Sequence, residues 1–300
     1  MKVKIRIGNE VKEYTGAWED HTLLEVFQEL GITQVHAPCG GNGTCKKCLV
    51  TVEGLGEVLS CQTQCKDGMC VTVAEEQKSA IAENGNCYLY PADAGEGLLA
   101  ACDIGTTTVV CHLLDGATGV RLCTVSAPNA QRSFGADVIS RIQASVDSGL
   151  DKLQSAIVDQ INGMLVQLKQ KAGRTEDIRR LAVAGNTVMS HLFCGLSPES
   201  IGVAPFTPLS LFGESYDAKQ IGIEGCETVY VVPSIAGYVG GDIVADLAAV
   251  QMHSSVLAED GEKETLMLDI GTNGEMVLGR SGSYVCCATA AGPAFEGAEI

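Results

Sequence analysis

The sequence predicts a chain of mixed class, with a small α+β domain at residues 1–75 followed by an α/β region of two related lobes. Three observations predict this order. A glycine-rich loop that begins at Cys39 carries cysteines in the spacing C-x5-C-x2-C. A stretch without sustained hydrophobic periodicity follows at residues 76–97 and is typical of a linker. Finally, Asp-Ile-Gly-Thr occurs after an apolar strand pattern both at Asp103 and at Asp269.

Length and charge limit the classes of function. A chain of 300 residues can form two or three units with sizeable cores. With 37 acidic and 20 basic residues its net charge is −17, which repels phosphate backbones and anionic membrane surfaces, so we expect neither nucleic acid nor membrane as a partner. The N-terminus lacks the apolar core of a signal peptide. The 14 cysteines are therefore not interpreted as a secreted disulfide framework, and the eight from Cys87 onward are interpreted as buried thiols of a reducing cytoplasm.

The N-terminal domain begins with a predicted β-hairpin and a helix. Apolar residues alternate with basic ones over residues 3–7, and a second strand, residues 11–15, follows a Gly-Asn turn. Thr22 and Glu25 have the spacing of a capping box, and apolar residues recur at helical spacing until Gly31. Two more strands are expected, at 48–53 and at 71–73, of which the last would close the sheet.

The cysteine loop between this helix and the next strand predicts an iron–sulfur site. A loop that wraps an anionic sulfide cluster must turn tightly and bring backbone N–H groups close to the sulfurs, which side chains would obstruct. Glycine fills three loop positions: Gly40, Gly41 and Gly43. The first three predicted ligands are Cys39, Cys45 and Cys48.

The residues alone leave the fourth ligand open among the later cysteines of the domain, and the resemblance to two-iron ferredoxins described below implies Cys61, with Cys65 as the alternative. Twelve residues separate Cys48 from Cys61, which is a short connection. Cys65 and Cys70 are also within reach of the loop along the chain. A structural zinc site is the competing interpretation, but zinc sites favour paired C-x2-C or C-x4-C units without a glycine wrap.

After the linker, residues 98–115 predict two strands joined by a turn with the character of a phosphate loop. Asp103 ends the first strand, and Gly105 makes the turn. Backbone amides and hydroxyls can hold phosphate oxygens, while a carboxylate holds Mg²⁺ through water. The hydroxyls of this turn belong to Thr106, Thr107 and Thr108.

The second Asp-Ile-Gly-Thr lies 166 residues later, since 269 − 103 = 166. A strand–turn–strand repeat at that distance predicts two homologous lobes, each of which contributes a phosphate loop to a shared cleft. The first lobe would span residues 98–260, and residues 261–300 would supply only the first strands of the second. The predicted nucleotide-binding residues of this second loop are Asp269, Gly271, Thr272, Asn273 and Gly274.

The intervening sequence predicts helices and further loops near the same cleft. One apolar helix face includes Val138, Ile142 and Val146, and a longer one covers residues 153–168. At residues 180–191 a buried strand leads through Gly-Asn-Thr into a helix, which places two polar residues at a strand carboxyl end, where α/β proteins bind ligands. These are Asn186 and Thr187, which either approach phosphate or, in the case of Thr187, cap the helix.

Beyond Val229, another strand leads through a glycine-rich entry into a helix from Ile243 to Met252. Small residues at such an entry would let two helices cross closely between lobes. Asp242 is expected to favour the helix N-terminus rather than to contact magnesium. Gly292 lies in a turn after a third strand of lobe two, and the resemblance to the ATPases described below implies that this turn contacts nucleotide.

These motifs resemble known families. The first quarter of the chain is similar to the adrenodoxin-like branch of 2Fe-2S ferredoxins, which have the β-grasp fold, and the rest resembles the actin-like (ribonuclease-H-like) ATPases that include sugar kinases and heat-shock chaperones. Together they resemble the reductive activators of corrinoid proteins. Five segments carry this resemblance: Asp103-Ile-Gly-Thr-Thr-Thr, Val183-Ala-Gly-Asn-Thr, Ile235-Ala-Gly-Tyr-Val-Gly, Asp269-Ile-Gly-Thr-Asn-Gly-Glu and Ala291-Gly-Pro-Ala-Phe-Glu-Gly.

The resemblance implies an ATP-dependent repair reaction in which a 2Fe-2S cluster returns one electron to corrinoid cobalt(II) and regenerates cobalt(I). It also implies Mg-ATP in the cleft, with Glu275 placing a water, a corrinoid protein as acceptor, a low-potential electron donor, and an arrangement compatible with a homodimer. Family members often carry a middle domain for which this linker is too short, and lobe two looks truncated. Open alternatives are an electron carrier or corrinoid-binding module with a non-catalytic ATPase scaffold, and an activator of another low-potential metalloenzyme.

Overall fold

The computed structural model describes residues 1–74, apart from 9, 33, 36 and 38, and residues 95–253, 264–280 and 283–290. Most of the predicted linker 76–97, and Gly292 with its turn, lie outside these described residues. The chain forms two compact units. One comprises the N-terminal domain together with residues 130–156, and the other comprises the rest of the chain.

The N-terminal domain is a five-stranded sheet covered by one helix, α1 (Leu23–Glu29). Its strands are β1 (Lys2–Ile7), β2 (Glu10–Thr15), β3 (Leu49–Val52), β4 (Gly56–Leu59) and β5 (Met69–Val73). The sheet order is β2-β1-β5-β3-β4, with β1 and β5 parallel, which confirms the predicted β-grasp fold. The expectation that the last strand closes the sheet needs one correction: β5 fills the centre, where Val71 and Val73 are buried between two neighbours.

The capping box predicted for α1 is present. The Glu25 N–H donates to Thr22 Oγ1 at 3.3 Å, and the Thr22 N–H donates to Glu25 Oε2 at 2.6 Å. These two bonds satisfy backbone donors that the first helical turn leaves without partners. The apolar face of α1 then packs on the sheet, with Phe27 fully buried. The helix is thereby fixed beside the cysteine loop that follows it.

A six-stranded sheet forms the first lobe of the α/β region. Its strands are β6 (Leu98–Ile104), β7 (Thr108–Asp115), β8 (Arg121–Pro128), β9 (Ile178–Gly185), β10 (Ser215–Asp217) and β11 (Cys226–Val231). The sheet order is β10-β11-β9-β6-β7-β8. Because β6, β9 and β11 are parallel, their carboxyl ends meet at one edge. This topology confirms the predicted ribonuclease-H-like lobe.

The helices of this region are α2 (Val138–Ala144), α3 (Leu150–Ala172), α4 (Thr187–Cys194), α5 (Ala218–Ile221) and α6 (Gly241–His253). The long apolar stripe of α3 is buried, as predicted. The prediction that Val146 continues the α2 face is wrong, because its side chain is 52% exposed. A π-helical turn, Ser145–Gly149, separates α2 from α3 and rotates Val146 away from the stripe. No helix of the described ranges is both long and apolar enough to span a membrane.

The first strands of the predicted second lobe form an antiparallel three-stranded sheet. These strands are β12 (Thr265–Ile270), β13 (Asn273–Arg280) and β14 (Ser283–Ala290), in that order. One face packs on the entry to α6, where Val277 contacts the buried Val239 and Ile243. The other face is apolar and exposed, and includes Leu266, Leu268, Ile270, Met276, Leu278 and Val285.

Candidate functional site

The four predicted cluster cysteines lie as two close pairs. Cys45 Sγ is 3.2 Å from Cys39 Sγ, and Cys48 Sγ is 3.3 Å from Cys61 Sγ. Cys61 reaches this position because the short 3-10 helix Ser60–Gln62 follows β4 and is anchored by the Ser60 N–H, which donates to the Cys48 carbonyl at 2.9 Å. The twelve-residue connection is thus long enough for the antiparallel pair β3 and β4 and a turn back to the loop.

Backbone conformation makes the cysteine loop a cradle for thiolates. Gly41 and Gly43 have φ values of 89° and 81°, in the left-handed region that glycine adopts most easily. Partial burial would raise the pKa of the Cys39 thiol, but hydrogen bonds from Cys45 and from these two glycines lower it to about 6. The loop therefore favours the charged sulfur that a metal ligand requires.

Cys65, the alternative fourth ligand, lies in the hydrophobic core of the domain. Its backbone N–H donates to the His21 carbonyl at 2.8 Å, and burial raises the pKa of its thiol. Sequence reasoning missed Gln62, whose side chain lies beside the sulfur of Cys61. Its Nε2 lies 3.7 Å from Cys61 Sγ and donates to the Gly41 carbonyl at 3.1 Å. No sequence signal marks this role, because it depends on a contact between segments 21 residues apart.

The donor set fits a two-iron cluster better than a single zinc ion. A structural zinc ion requires four ligands around one point. The four sulfurs form two close pairs, which matches a cluster in which each of two irons would take two cysteine thiolates. Burial first, and then the neighbouring Cys48, raise the pKa of Cys61 to about 11, so metal binding is needed to hold both of these sulfurs as thiolates.

The two predicted phosphate loops meet in the α/β unit. Thr107 Oγ1 of the first loop lies 2.7 Å from Thr272 Oγ1 of the second, across 165 residues of sequence. The first turn is tight, because a Cβ on Gly105 would lie 2.6 Å from the Thr108 carbonyl oxygen. Thr106 and Thr107 are buried in this turn, and Asp103 is exposed at its edge. The predicted pairing of two strand–turn–strand loops is therefore seen in the fold.

Glycines let a third loop approach the same edge. A Cβ on Gly240 would lie 2.6 Å from the Asn186 Cα atom and 2.7 Å from the Thr187 nitrogen, both of which are backbone atoms. The entry to α6 thus packs directly on the turn after β9. This contact brings the start of α6 to the carboxyl ends of the parallel strands.

Asn186 and Thr187 lie at this edge, but their side chains already have partners. Asn186 is the N-cap of α4 and accepts the Val188 N–H at 3.0 Å. Thr187 Oγ1 donates to the Ala236 carbonyl at 2.6 Å. The alternative that Thr187 caps the helix is therefore wrong, since Asn186 performs that role. Both side chains are buried, and they support the turn structurally.

Four acidic residues lie at or beside the second loop. Glu275 is 4% exposed and pairs in register with Asp269 across β12 and β13. Burial, and then the nearby Asp269, raise the pKa of Asp242 and of Asp246 on α6 to about 6 each. Asp242 also accepts the Ile243 N–H at 2.9 Å, as expected for a residue that favours a helix N-terminus.

Asn129 is a second residue that sequence reasoning missed. It is fully buried after β8 and holds both ends of the first phosphate turn. Its side-chain Nδ2 donates to the Gly105 carbonyl, and its backbone N–H donates to the Thr107 carbonyl, each at 2.8 Å. No local motif identifies Asn129, because the turn it supports lies more than 20 residues earlier.

Comparison with protein families assigns all three regions. Residues 5–76 match the 2Fe-2S iron-sulfur cluster binding domain. Residues 98–255, more than half of the chain, match the RACo middle region. Residues 263–300 match the C-terminal domain of RACo, the ASKHA domain. The family's middle region is thus present in the residues predicted as the first lobe, so the expectation that a middle domain is missing is wrong.

Individual relatives agree with the family profiles. The corrinoid activation enzyme RamQ of Eubacterium limosum is 31% identical, over 94% of this chain and 60% of the relative. A Methanosarcina barkeri reductase of the Co(II) methylated amine-specific corrinoid protein is 28% identical, and the match covers 67% of this chain and 37% of the reductase.

Among solved structures, a reductive activator for the corrinoid, iron-sulfur protein is 29% identical with a TM-score of 0.60, and the match covers 98% of this chain and 64% of that one. The chain thus spans less than two thirds of the length of each of these three relatives. The RACo middle region matches more than half of the residues of this chain. The chain therefore belongs to the RACo family of reductive activators of corrinoid proteins.

Proposed function

We propose that the protein performs ATP-dependent reductive activation of a corrinoid protein, in which corrinoid cobalt(II) is the substrate and is reduced by one electron to cobalt(I). The observation that carries this proposal is that one chain presents both a four-sulfur cradle and two phosphate-type loops whose threonine hydroxyls lie 2.7 Å apart. An electron carrier alone has no use for the second feature.

The cluster would be held by Cys39, Cys45, Cys48 and Cys61. When bound, a 2Fe-2S cluster supplies a one-electron carrier whose potential is near about −400 mV in plant-type ferredoxins. The polypeptide keeps these sulfurs in reach of backbone N–H donors, which stabilise negative charge at Cys39. The Gln62 amide adds a side-chain donor near Cys61.

Mg-ATP would be bound between the two loops. The backbone amides and hydroxyls of the turns would hold phosphate oxygens, and Asp103 and Asp269 would hold Mg²⁺ through water. Glu275 would place a water near the phosphates. Burial, and then the charge of the nearby Asp269, raise the pKa values of Asp242 and Asp246, and a divalent cation at Asp269 would offset the second of these effects.

Nucleotide can assist an uphill electron transfer only through different affinities for two conformations of the protein. The acceptor would be a corrinoid protein, as the names of the relatives indicate for those proteins. A low-potential donor would reload the cluster. A cytoplasmic location and a homodimer remain predictions of the same proposal.

The nucleotide site is tested by titrating the full-length protein with Mg-ATP. Substitution of the predicted magnesium-supporting carboxylate, Asp269→Asn, is expected to weaken binding about 10- to 100-fold, the effect of losing one charged contact. Asp159→Asn, on the exposed face of α3, is the matched control and should bind as the wild type does. Absence of Mg-ATP binding in the wild type would remove the ATPase proposal and leave the electron carrier.

A further inference from the structure

The buried cysteine pair of the cluster cradle has a side-chain hydrogen-bond donor beside it. In this inner pair Cys48 is fully buried and Cys61 is 6% exposed. The outer pair, Cys39 and Cys45, is half-buried, and backbone N–H groups of the glycine loop donate to Cys39. Among the residues that the structure describes, the donor from outside the cysteines that reaches the inner pair is the side chain of Gln62. The two pairs therefore differ in how negative charge on sulfur is stabilised.

The contacts of the Gln62 amide determine which of its atoms faces the sulfur. Its Nε2 donates to the Gly41 carbonyl at 3.1 Å and lies 3.7 Å from Cys61 Sγ. Because a carbonyl oxygen can only accept, the amide nitrogen rather than the amide oxygen must lie at this place. An NH2 group carries two N–H donors, so when one is held by Gly41 the other is available to the sulfur. One nitrogen thus bridges the cysteine loop and the fourth ligand.

Packing against the glycine loop keeps the Gln62 side chain in this position. A Cβ on Gly43 would lie 3.3 Å from both Cγ and Cδ of Gln62 and 3.4 Å from its Nε2. The side chain therefore lies along the loop, although the residue as a whole is exposed. The Ser60 N–H donates to the Cys48 carbonyl at 2.9 Å and fixes the backbone just before Gln62. Because the side chain is held at both its ends, a hydrogen bond to the sulfur costs little additional ordering.

A hydrogen-bond donor at a ligand sulfur acts on the reduction potential of the cluster. One-electron reduction adds one negative charge to the cluster and its sulfur ligands, and a hydrogen bond to sulfur stabilises this charge. The stabilisation is larger where water is excluded, since the effective dielectric constant is lower there. Cys61 lies in such a place, because it is buried. An N–H donor at its sulfur therefore favours the reduced cluster and raises the midpoint potential.

We propose that Gln62 is a positioning residue that raises the reduction potential of the bound cluster, by donating one amide N–H to Cys61 Sγ while the other holds the Gly41 carbonyl. The inference rests on the proposed cluster and is independent of the nucleotide site. It deepens the proposed function because it identifies the residue that sets the balance between loading the cluster and delivering its electron. A higher potential eases reduction by the donor and makes transfer to cobalt(II) more uphill.

The test is a redox titration, monitored by electron paramagnetic resonance, of the anaerobically purified full-length protein without nucleotide or corrinoid protein. Gln62→Met keeps the approximate length of the side chain and removes both N–H donors. At a fixed potential near the midpoint it should lower the ratio of reduced to oxidised cluster about 3- to 10-fold, the effect of losing one hydrogen bond. A tenfold change corresponds to 59 mV for a one-electron couple, so the midpoint should become more negative by about 30 to 60 mV.

Two further variants separate the donor effect from a loss of packing. Gln62→Lys removes the amide but keeps N–H donors on a side chain of similar length, so its midpoint potential should lie at or above that of the wild type. Gln64→Met makes the same exchange at an exposed glutamine two residues later and should keep the wild-type potential. Analysis of iron and acid-labile sulfide in each variant establishes that the potentials compared belong to an intact cluster.

Several results would overturn the inference. Equal midpoint potentials of Gln62→Met and the wild type, or an equal shift in Gln64→Met, would show that the Gln62 amide has no specific effect, while the proposed function stands. A midpoint of Gln62→Lys below that of the wild type would contradict the donor effect, even where Gln62→Met holds no cluster. If the wild type itself binds neither iron nor sulfide, the proposed function fails together with the inference.

Discussion

Hydrogen bonds on both sides of Cys61 along the chain fix its position beside Cys48. The Ser60 N–H binds the Cys48 carbonyl, and the Thr63 hydroxyl donates to the Leu59 carbonyl at 2.9 Å, so both sides of Cys61 are fixed. Cys65, only four residues later, is directed into the core. Local backbone bonding thus distinguishes two cysteines that are equivalent by spacing alone.

This difference predicts opposite results for two serine substitutions. Cys61→Ser should abolish or strongly reduce the content of iron and acid-labile sulfide, because one of the four ligands is lost. Cys65→Ser should retain both, with a visible spectrum like that of the wild type. Metal analysis of anaerobically purified protein measures the effect, and loss of the cluster in Cys65→Ser alone would reverse the assignment.

His191 on α4 makes stability depend on pH. Its Nδ1 lies 2.7 Å from the Thr187 carbonyl, and its Nε2 accepts the Ser210 N–H at 3.3 Å, so the ring is neutral with the proton on Nδ1. Protonation of Nε2 would put two donors face to face. Burial lowers the pKa of His191 below the ordinary value of 6.5, although the Thr187 carbonyl opposes this shift.

Because the unfolded chain takes up this proton more readily, the contribution of His191 to stability is complete above about pH 6.5 and is lost as the pH falls through the lower folded-state pKa. The raised pKa values of Asp242 and Asp246, about 6 each, give a slope of opposite sign in this window. The effect of His191 is therefore the difference between the wild type and His191→Gln in urea unfolding between pH 5 and 8, and the wild type should lose more stability than the variant as the pH falls. His112, whose pKa is lowered first by burial and then by Arg121, would leave a residual slope of the same sign. An unaltered slope in the variant would exclude His191 as the source.

Residues with a recognisable spacing could be found from the sequence, and residues that act through distant contacts could not. The cysteine spacing and the repeated Asp-Ile-Gly-Thr are local patterns, and the structure brings their members together. Asn129 and Gln62 have no such pattern. Their importance depends on which carbonyl faces each amide, and only the fold determines this.

Between elements, the entry to α6 packs closely on the turn after β9. Gly240→Ala would force a Cβ within 2.6–2.7 Å of three backbone atoms, which cannot move as a flexible side chain can. We expect a loss of about 1–3 kcal/mol in the free energy of unfolding, together with weaker nucleotide binding.

Gly163→Ala is the matched control, because its position in α3 has no atom within 4 Å of the added Cβ. Here the higher helix propensity of alanine should stabilise the protein by about 0.5–1 kcal/mol. Chemical unfolding of both variants measures the contrast. Equal effects of the two substitutions would contradict the close packing at Gly240.

A helix with a sustained hydrophobic repeat, such as α3, could be predicted from the sequence. Elements whose structure depends on contacts with neighbouring elements could be predicted less well. The exposed four-residue strand β4 has little apolar patterning, so it was not predicted. The π-helical turn after α2 inserts residues into a continuous helical pattern, which explains the exposed Val146. The central position of β5 follows from strand pairing, which no single segment encodes.

On the scale of the whole molecule, the sequence joins an electron-carrying domain to a two-loop α/β unit. The net charge of −17 favours an electropositive protein surface as the partner and disfavours nucleic acid. The described part of the second lobe exposes an apolar sheet face, whereas the inner face is packed on the entry to α6. The two loops therefore rest on packed structure at the point where they meet.

The central claim is that this chain uses nucleotide to drive reduction of corrinoid cobalt. It is tested most directly by mixing the reduced full-length protein with its corrinoid protein in the cobalt(II) state and following the visible spectrum under anaerobic conditions. We predict that the cobalt(I) spectrum appears with Mg-ATP and a low-potential donor, and that it does not appear in Cys61→Ser. Formation of cobalt(I) at the same rate and extent without nucleotide would contradict the claim.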